Sequence, residues 1–133
     1  MLRKIWEKYY SQCNAVIFVV DGSNESRMEE VKQVLDKLYS RRQPTELVDL
    51  PVLFLINKSD DHENYLGMDS VREHLCLSSL NCSREVHVRE ISASTNENLP
   101  ESANWLYENI PLFMTQTTKT ASSQLQAASS AKV

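Results

Sequence analysis

Two short polar loops, each directly after an apolar run, carry the residues of this sequence that are best suited to bind a ligand. The first is Asn-Lys-Ser-Asp at residues 57–60, which follows the apolar run 52–56. The second is Ser-Ala-Ser at residues 92–94, which follows the alternating run 86–91. Runs of this length suit strands and fall far short of the ~20 residues that cross a bilayer. Ligands collect at the carboxyl ends of strands in open α/β sheets, so we expect both loops at one binding edge.

The first loop has the composition needed to recognise a guanine ring. The Asp60 carboxylate can accept from the ring N–H and the exocyclic amine, two donors that only guanine presents together. Adenine would leave that carboxylate unpaired. Asn57 can bond the far side of the base and join the two loops, and Lys58 can lay its methylene stem along the ring face. In the second loop the Ala93 N–H can donate to the guanine carbonyl oxygen, while Ser92 braces the turn.

A plain turn is the alternative interpretation of residues 57–60, because Asn, Ser and Asp all favour turns. Their position after a buried strand, with a second such loop after the next strand, favours the guanine interpretation.

Composition excludes several other classes of function. The chain has only two glycines, Gly22 and Gly67, so it can form neither a glycine-rich phosphate-binding loop nor a dinucleotide fingerprint. A net charge of -4 argues against a nucleic-acid surface. No transmembrane segment or signal peptide is predicted. The three cysteines are expected to be free thiols, and we predict no metal site and no catalytic group. The three histidines lack ligand spacing and are predicted to be surface residues: His62, His74 and His87.

The surrounding pattern predicts an α/β fold in the order α-β-α-β-α-β-α, with parallel strands and right-handed crossovers. Strands are expected at 15–20, buried on both faces, at 52–56, and at 86–91, half-exposed at an edge. The apolar stripe of the first helix spans residues 2–10. Asn24 is expected to cap the N-terminus of the second helix, and Asp69 or Ser70 is expected to cap that of the third. The last is predicted from Leu99 to Ile110 with Ala103 on its apolar face.

At these residues the sequence resembles the Ras-like small GTPases, and more narrowly the Arf/Arl family. Residues 2–10 are similar to the family's switch II helix, (I/L)RxxWxxYY/F, and the Trp-x-Lys-Tyr-Tyr form resembles its Arf-related branch most. Residues 16–21 resemble its fourth strand, and residues 51–60 resemble the strand leading to NKxD. The family usually has NKQD, so Ser59 is a departure. Residues 92–94 match the (C/S)A(T/L) loop, and residues 104–106 resemble (D/E)WL of the final helix.

The resemblance implies a partial three-layer, P-loop-NTPase-like fold with about three parallel strands and helices on both faces. Residues 1–113 would form the C-terminal part of a small GTPase domain from the switch II helix onward, and composition predicts a disordered tail at 114–133. GTP or GDP is the implied cofactor, with Mg²⁺ only in a full-length protein. The phosphate loop, switch I and WDxGGQ segments have no counterpart here, so GTP hydrolysis by this chain alone is not expected. Base recognition would fall to Asn57, Lys58, Asp60, Ser92 and Ala93.

The resemblance also implies partners and a location. The implied partners are trafficking effectors, exchange proteins and activating proteins. The implied location is the cytoplasm, with recruitment to Golgi or other endomembranes. Trp6 would pack inward, and Tyr9 would either face effectors or pack in the core. Strand 15–20 would have an unpaired apolar edge capable of self-association. The alternative function is a non-enzymatic interaction module that uses the first helix and this edge. The alternative fold is an independent flavodoxin-like unit.

Overall fold

Three parallel strands form the centre of the molecule. A computed structural model describes residues 3–43 and 45–110. Strand β1 (Val16–Asp21) pairs with β2 (Val52–Asn57), and β2 pairs with β3 (His87–Glu90), in the sheet order β1-β2-β3. The register places Asp21 beside Asn57 and Ile56 beside Glu90, so the three carboxyl ends meet at one edge. This sheet confirms the predicted α/β fold class, with β3 at an edge.

Helices cover both faces of β2. Helix α1 (Arg3–Trp6) continues as a 3₁₀ segment (Glu7–Gln12), and α2 (Met28–Leu38) follows a 3₁₀ turn (Glu25–Arg27). A further 3₁₀ turn, Glu46–Asp49, precedes β2. Helix α3 (Met68–His74) follows β2, and another 3₁₀ turn, Leu77–Ser79, follows α3. The last helix, α4, covers residues 99–110. No helix in the described part of the chain is both long and apolar enough to cross a membrane.

The two faces of β2 belong to two separate cores. Phe54 and Ile56 are fully buried against α2 and α3. Leu53 and Leu55 lie on the opposite face, with Ile91 and the apolar side of α4. Burial on both faces explains why the strand is one continuous apolar run and does not alternate.

Strand β1 departs from its prediction. Its Phe18 stacks on Phe54 with ring centroids 5.4 Å apart, and Val20 is buried. On the other face, however, Ile17 is 49% and Val19 56% exposed. The expectation that both faces are buried is therefore wrong, because α4 packs over β2 and does not cover β1. The predicted edge position is confirmed, since β1 pairs only with β2 in the described sheet.

The first helix also differs from its prediction. Trp6 is 42% exposed, Ile5 and Tyr9 are exposed as well, and Tyr10 is half-buried. The inward packing expected for Trp6 is wrong. A 3₁₀ segment with three residues per turn begins at Glu7, so a stripe spaced for an α-helix no longer stays on one face.

Four smaller predictions also fail. Asn24 makes no side-chain capping bond, and α2 begins only at Met28, after Arg27. Helix α3 begins at Met68 after Gly67 with no side-chain cap, so neither Asp69 nor Ser70 caps it. In α4 the buried residue is Ser102, whose hydroxyl bonds the Asn98 carbonyl, whereas Ala103 is exposed.

The fourth is the prediction that His87 is a surface residue. His87 is only partly exposed and stacks on Trp105 with ring centroids 4.6 Å apart. Residue 2 of the predicted stripe, residues 111–113 of the predicted domain and the tail predicted at 114–133 lie outside the described residues.

Candidate functional site

The two polar loops are joined side by side at the carboxyl edge of the sheet. Asn57 is the last residue of β2, and its Oδ1 accepts a hydrogen bond from the Ala93 N–H at 3.0 Å. The Ser59 N–H donates to the Ile91 carbonyl at 3.1 Å, and the Ser59 hydroxyl donates to Glu97 at 2.9 Å. Asn57 thus joins the loops, and its Nδ2 has no partner among the described residues. The Ala93 N–H, expected to face a ligand, is already engaged.

Asp60 lies on the exposed side of this junction, held by two hydroxyls. Ser92 Oγ donates to its Oδ1 at 2.7 Å, and Ser94 Oγ donates to its Oδ2 at 2.9 Å. The hydrogen bond from Ser92, followed by that from Ser94, lowers the pKa of the Asp60 carboxyl below its ordinary value. Asp60 is therefore ionised at neutral pH. A carboxylate has about four acceptor positions, so about two remain for a ligand.

Ser92 is the fully buried centre of the second loop. Its hydroxyl also accepts from the Thr95 N–H at 3.1 Å, and its N–H donates to the Glu97 carbonyl at 3.2 Å. The loop closes through two left-handed residues, Asn96 (φ 68°) and Asn98 (φ 57°). Asparagine enters this region more readily than most residues with a side chain, so the tight loop forms without glycine.

Lys58 is held across the top of β1. It has a left-handed backbone (φ 72°), and its Nζ lies 2.7 Å from Asp21 Oδ2. The Asp21 Oδ1 accepts from both the N–H and the hydroxyl of Ser23. Burial alone would raise the pKa of Asp21, but the hydrogen bonds from Lys58 and Ser23 outweigh it and lower that pKa. The same bond raises the pKa of Lys58. Both groups are therefore charged at neutral pH.

Asp21 is a residue that the sequence prediction missed. Its position at a strand end was visible, but its partnership with Lys58 depends on the β1–β2 register, which sets Asp21 beside Asn57.

A second group missed from sequence lies behind the loops. The Gly22 N–H donates to the Asn57 carbonyl at 2.9 Å, and the Gly22 carbonyl accepts from the Leu66 N–H at 2.9 Å. The Tyr65 hydroxyl reaches Glu90 at 2.8 Å. These bonds tie the segment after the first loop to the ends of β1 and β3, and Gly22 joins the end of β1 to that of β2, so the site has a fixed base.

Tyr9 lies apart from these loops. It is exposed on the 3₁₀ segment after α1, and its carbonyl accepts from the Cys13 thiol. Within residues 3–43 and 45–110, no three His, Cys, Asp or Glu side chains gather where they could hold a metal ion.

Comparison with known proteins identifies the family. Residues 1–110 match the ADP-ribosylation factor (Arf) family. Human ADP-ribosylation factor-related protein 1 is 32% identical over 107 residues, which cover 79% of this chain and 51% of the human protein. ADP-ribosylation factor K of Dictyostelium discoideum is 32% identical over 109 residues, covering 82% and 55% of the two chains. The chain thus spans about half the length of the curated relatives it matches.

A solved structure agrees with the sequence comparison. The Arl6 (BBS3) small GTPase of Trypanosoma brucei, determined with the nucleotide analogue GppNp, superposes with a TM-score of 0.71 at 28% identity. The match covers 82% of this chain and 65% of that one. The sequence match, the parallel sheet and the structural likeness together show that this chain belongs to the ADP-ribosylation factor family of small GTPases.

Proposed function

We propose that this chain carries the guanine-recognising part of an Arf-family nucleotide switch. The observation that carries the proposal is the ionised Asp60 carboxylate, which two serine hydroxyls hold at the edge of the sheet with acceptor positions to spare. A guanine edge offers two donors side by side, which matches two free acceptor positions.

The neighbouring groups fit the same ligand. Asn57 Nδ2 is free to donate to a ring nitrogen, and the Lys58 stem extends from the loop toward Asp21. The Ala93 N–H would be shared between Asn57 and a guanine carbonyl oxygen. GTP or GDP is the nucleotide that these residues would hold by its base, and Mg²⁺ would accompany it only in a full-length protein. Residues 1–113 are, on this proposal, the C-terminal part of a small GTPase domain.

The proposed biological role is a switch in vesicle trafficking. Family membership supports this role, with effectors, exchange proteins and activating proteins as partners and a Golgi or other endomembrane as the place of recruitment. The exposure of Tyr9 on the first segment supports its assignment to an effector-facing surface.

Binding of mononucleotides to the complete 133-residue chain tests base recognition directly. NMR titration with GMP and AMP should give tighter binding of GMP, with shifts at Ala93 and in residues 57–60. Asp60→Asn replaces one acceptor by a donor, so it should weaken GMP binding and favour XMP, which has a carbonyl in place of the guanine amine. Asp69→Asn, an exposed change on α3, is the matched control. Equal affinity of the wild-type chain for GMP and AMP would overturn the proposal.

A second candidate function is a non-enzymatic interaction module, which a specific observation favours. Apolar side chains are exposed along the first segment and the outer part of β1, namely Ile5, Trp6, Tyr9, Ile17 and Val19. Exposed sheet edges with apolar side chains pair readily with other strands. On this candidate, the chain associates with itself through β1.

Light scattering after size exclusion tests this second function. A dimer that ignores GMP and is dissociated by Val19→Lys would support it, because a charge on an edge strand opposes pairing. Tyr107→Lys is the control, since Tyr107 is 78% exposed and lies on α4, away from β1. A wild-type chain that stays monomeric at high concentration would rule it out.

A further inference from the structure

The Asp60 carboxylate is held by two hydroxyls on two different oxygens. Each serine hydroxyl has a single proton. Ser92 gives its proton to Oδ1 and Ser94 gives its proton to Oδ2. The two hydroxyl oxygens lie 3.0 Å apart, but with both protons committed to Asp60 no third one remains to join them. The pair thus acts as a two-point clamp on one carboxylate.

We propose that Ser94 is a positioning residue that fixes the plane of the Asp60 carboxylate and thereby sets the preference for guanine over hypoxanthine. The inference rests on the proposed guanine-binding function and adds a specificity-determining residue to it. Ser94 does not itself need to touch the base.

The torsion of the carboxylate explains why one clamp point is insufficient. The terminal torsion of an aspartate is broad, with no strongly preferred staggered positions. With a single donor on Oδ1, the carboxylate can still rotate, so the position of Oδ2 is not fixed. The second donor, on Oδ2, removes this freedom. The ring N–H and the exocyclic amine need the two oxygens in one plane with the base edge, so loss of the second donor weakens one of these contacts most.

Ser92 and Ser94 differ in what else they do, which makes Ser94 the informative residue. Ser92 is fully buried and also accepts from the Thr95 N–H, so its replacement would disturb the whole loop. Ser94 is exposed, and among the described residues its hydroxyl donates to Asp60 alone, lying beside the Ser92 hydroxyl without a proton between them. The bond from Ser94 is also the second contributor to the lowered pKa of Asp60.

The test compares GMP with IMP, which has the same phosphate, ribose and ring N–H but lacks the amine. Ser94→Thr and Ser94→Val are the main pair, since they match in shape and differ in one hydroxyl. The Val variant should lose about fivefold in the ratio of GMP to IMP affinity, the usual effect of one such hydrogen bond. The Thr variant should keep the wild-type ratio. In the ligand-free chain, carboxyl NMR should show a raised pKa of Asp60 in the Val variant and not in the Thr variant. Ser94→Ala repeats the removal, and Ser78→Ala, an exposed serine elsewhere, is the control.

The outcomes separate this inference from the function on which it rests. A wild-type chain that binds GMP no better than AMP overturns both. A wild-type preference for guanine that persists in Ser94→Val with an unchanged GMP to IMP ratio overturns only the role of Ser94. Equal weakening of GMP and IMP would show a merely structural role and would likewise overturn it. A fall in the ratio of GMP to IMP affinity in both Ser94→Val and Ser94→Ala supports the inference, provided that both variants unfold in urea as the wild-type chain does.

Discussion

Replacement of Gly22 by alanine should destabilise the chain strongly, because there is no room for a side chain at the end of β1. A Cβ atom on Gly22 would overlap Tyr65 Cε2, and it would lie 2.6 Å from Ile56 Cγ2 and 2.9 Å from the Asn57 carbonyl oxygen. Ordinary carbon contacts begin near 3.5 Å, so the overlap with Ile56 is of the order of 1 Å.

None of these three neighbours can retreat freely. Ile56 is fully buried in the core. The Asn57 oxygen is backbone of β2 and accepts the Gly22 N–H at 2.9 Å. Tyr65 could turn only by giving up its hydrogen bond to Glu90. Overpacking plus one lost hydrogen bond gives an expected loss of about 2–4 kcal/mol in the free energy of unfolding. That is a large part of the 5–15 kcal/mol typical of a domain.

Urea unfolding followed by circular dichroism measures this loss. Tyr65→Ala removes one of the clashing groups, so it should cost less in the Gly22→Ala background than in wild type, with a coupling of about 1 kcal/mol. A Gly22→Ala chain within about 0.5 kcal/mol of wild type would show that the close approach of Gly22 to these neighbours is not part of the fold.

Three further predictions concern other parts of the molecule. The pKa of Asp21 is lowered in the folded chain, so its contribution to stability is present above its ordinary value of 3.8 and is lost as pH falls through the lowered pKa; Asp21→Asn should therefore flatten the acid limb of urea stability measured against pH. Trp105→Ala should lower the free energy of unfolding by about 2–3 kcal/mol, because it removes packing on the second core and the stack on His87. Tyr107→Ala, at an exposed position, should change it by less than about 0.5 kcal/mol, and urea unfolding measures both. Burial raises the pKa of the Cys82 thiol, while Cys76 is exposed, so mass spectrometry after brief alkylation at neutral pH should find Cys76 modified first.

The strands and their order were predictable because the relevant information is local. A five-residue apolar run such as 52–56 has to be buried on both faces, and alternation of strands with helical stripes leaves a parallel sheet as the ordinary solution. The same reasoning placed the loops at 57–60 and 92–94 at one edge. The contact between Asn57 and Ala93 confirms that the two loops meet there.

The burial of individual side chains was less predictable. Ile17 and Val19 have the composition of core residues, yet they are exposed because no described helix lies over their face of β1, whereas α2 covers the opposite face. Trp6 belongs to an apolar stripe, yet it is exposed, and that stripe no longer stays on one face once the 3₁₀ segment begins at Glu7. Whether an apolar residue is buried depends on what covers it, which periodicity along the chain does not specify.

The sequence alone determined the family, the parallel sheet and the two loops, because motif spacing and apolar periodicity are properties of neighbouring residues. Only the tertiary structure decided how the side chains of those loops are held. Lys58 and Asp21 are 37 positions apart, Ser59 and Glu97 are 38 apart, and Ser94 reaches Asp60 from 34 positions away. Such contacts depend on strand register and loop closure, which bring distant parts of the chain within hydrogen-bonding distance.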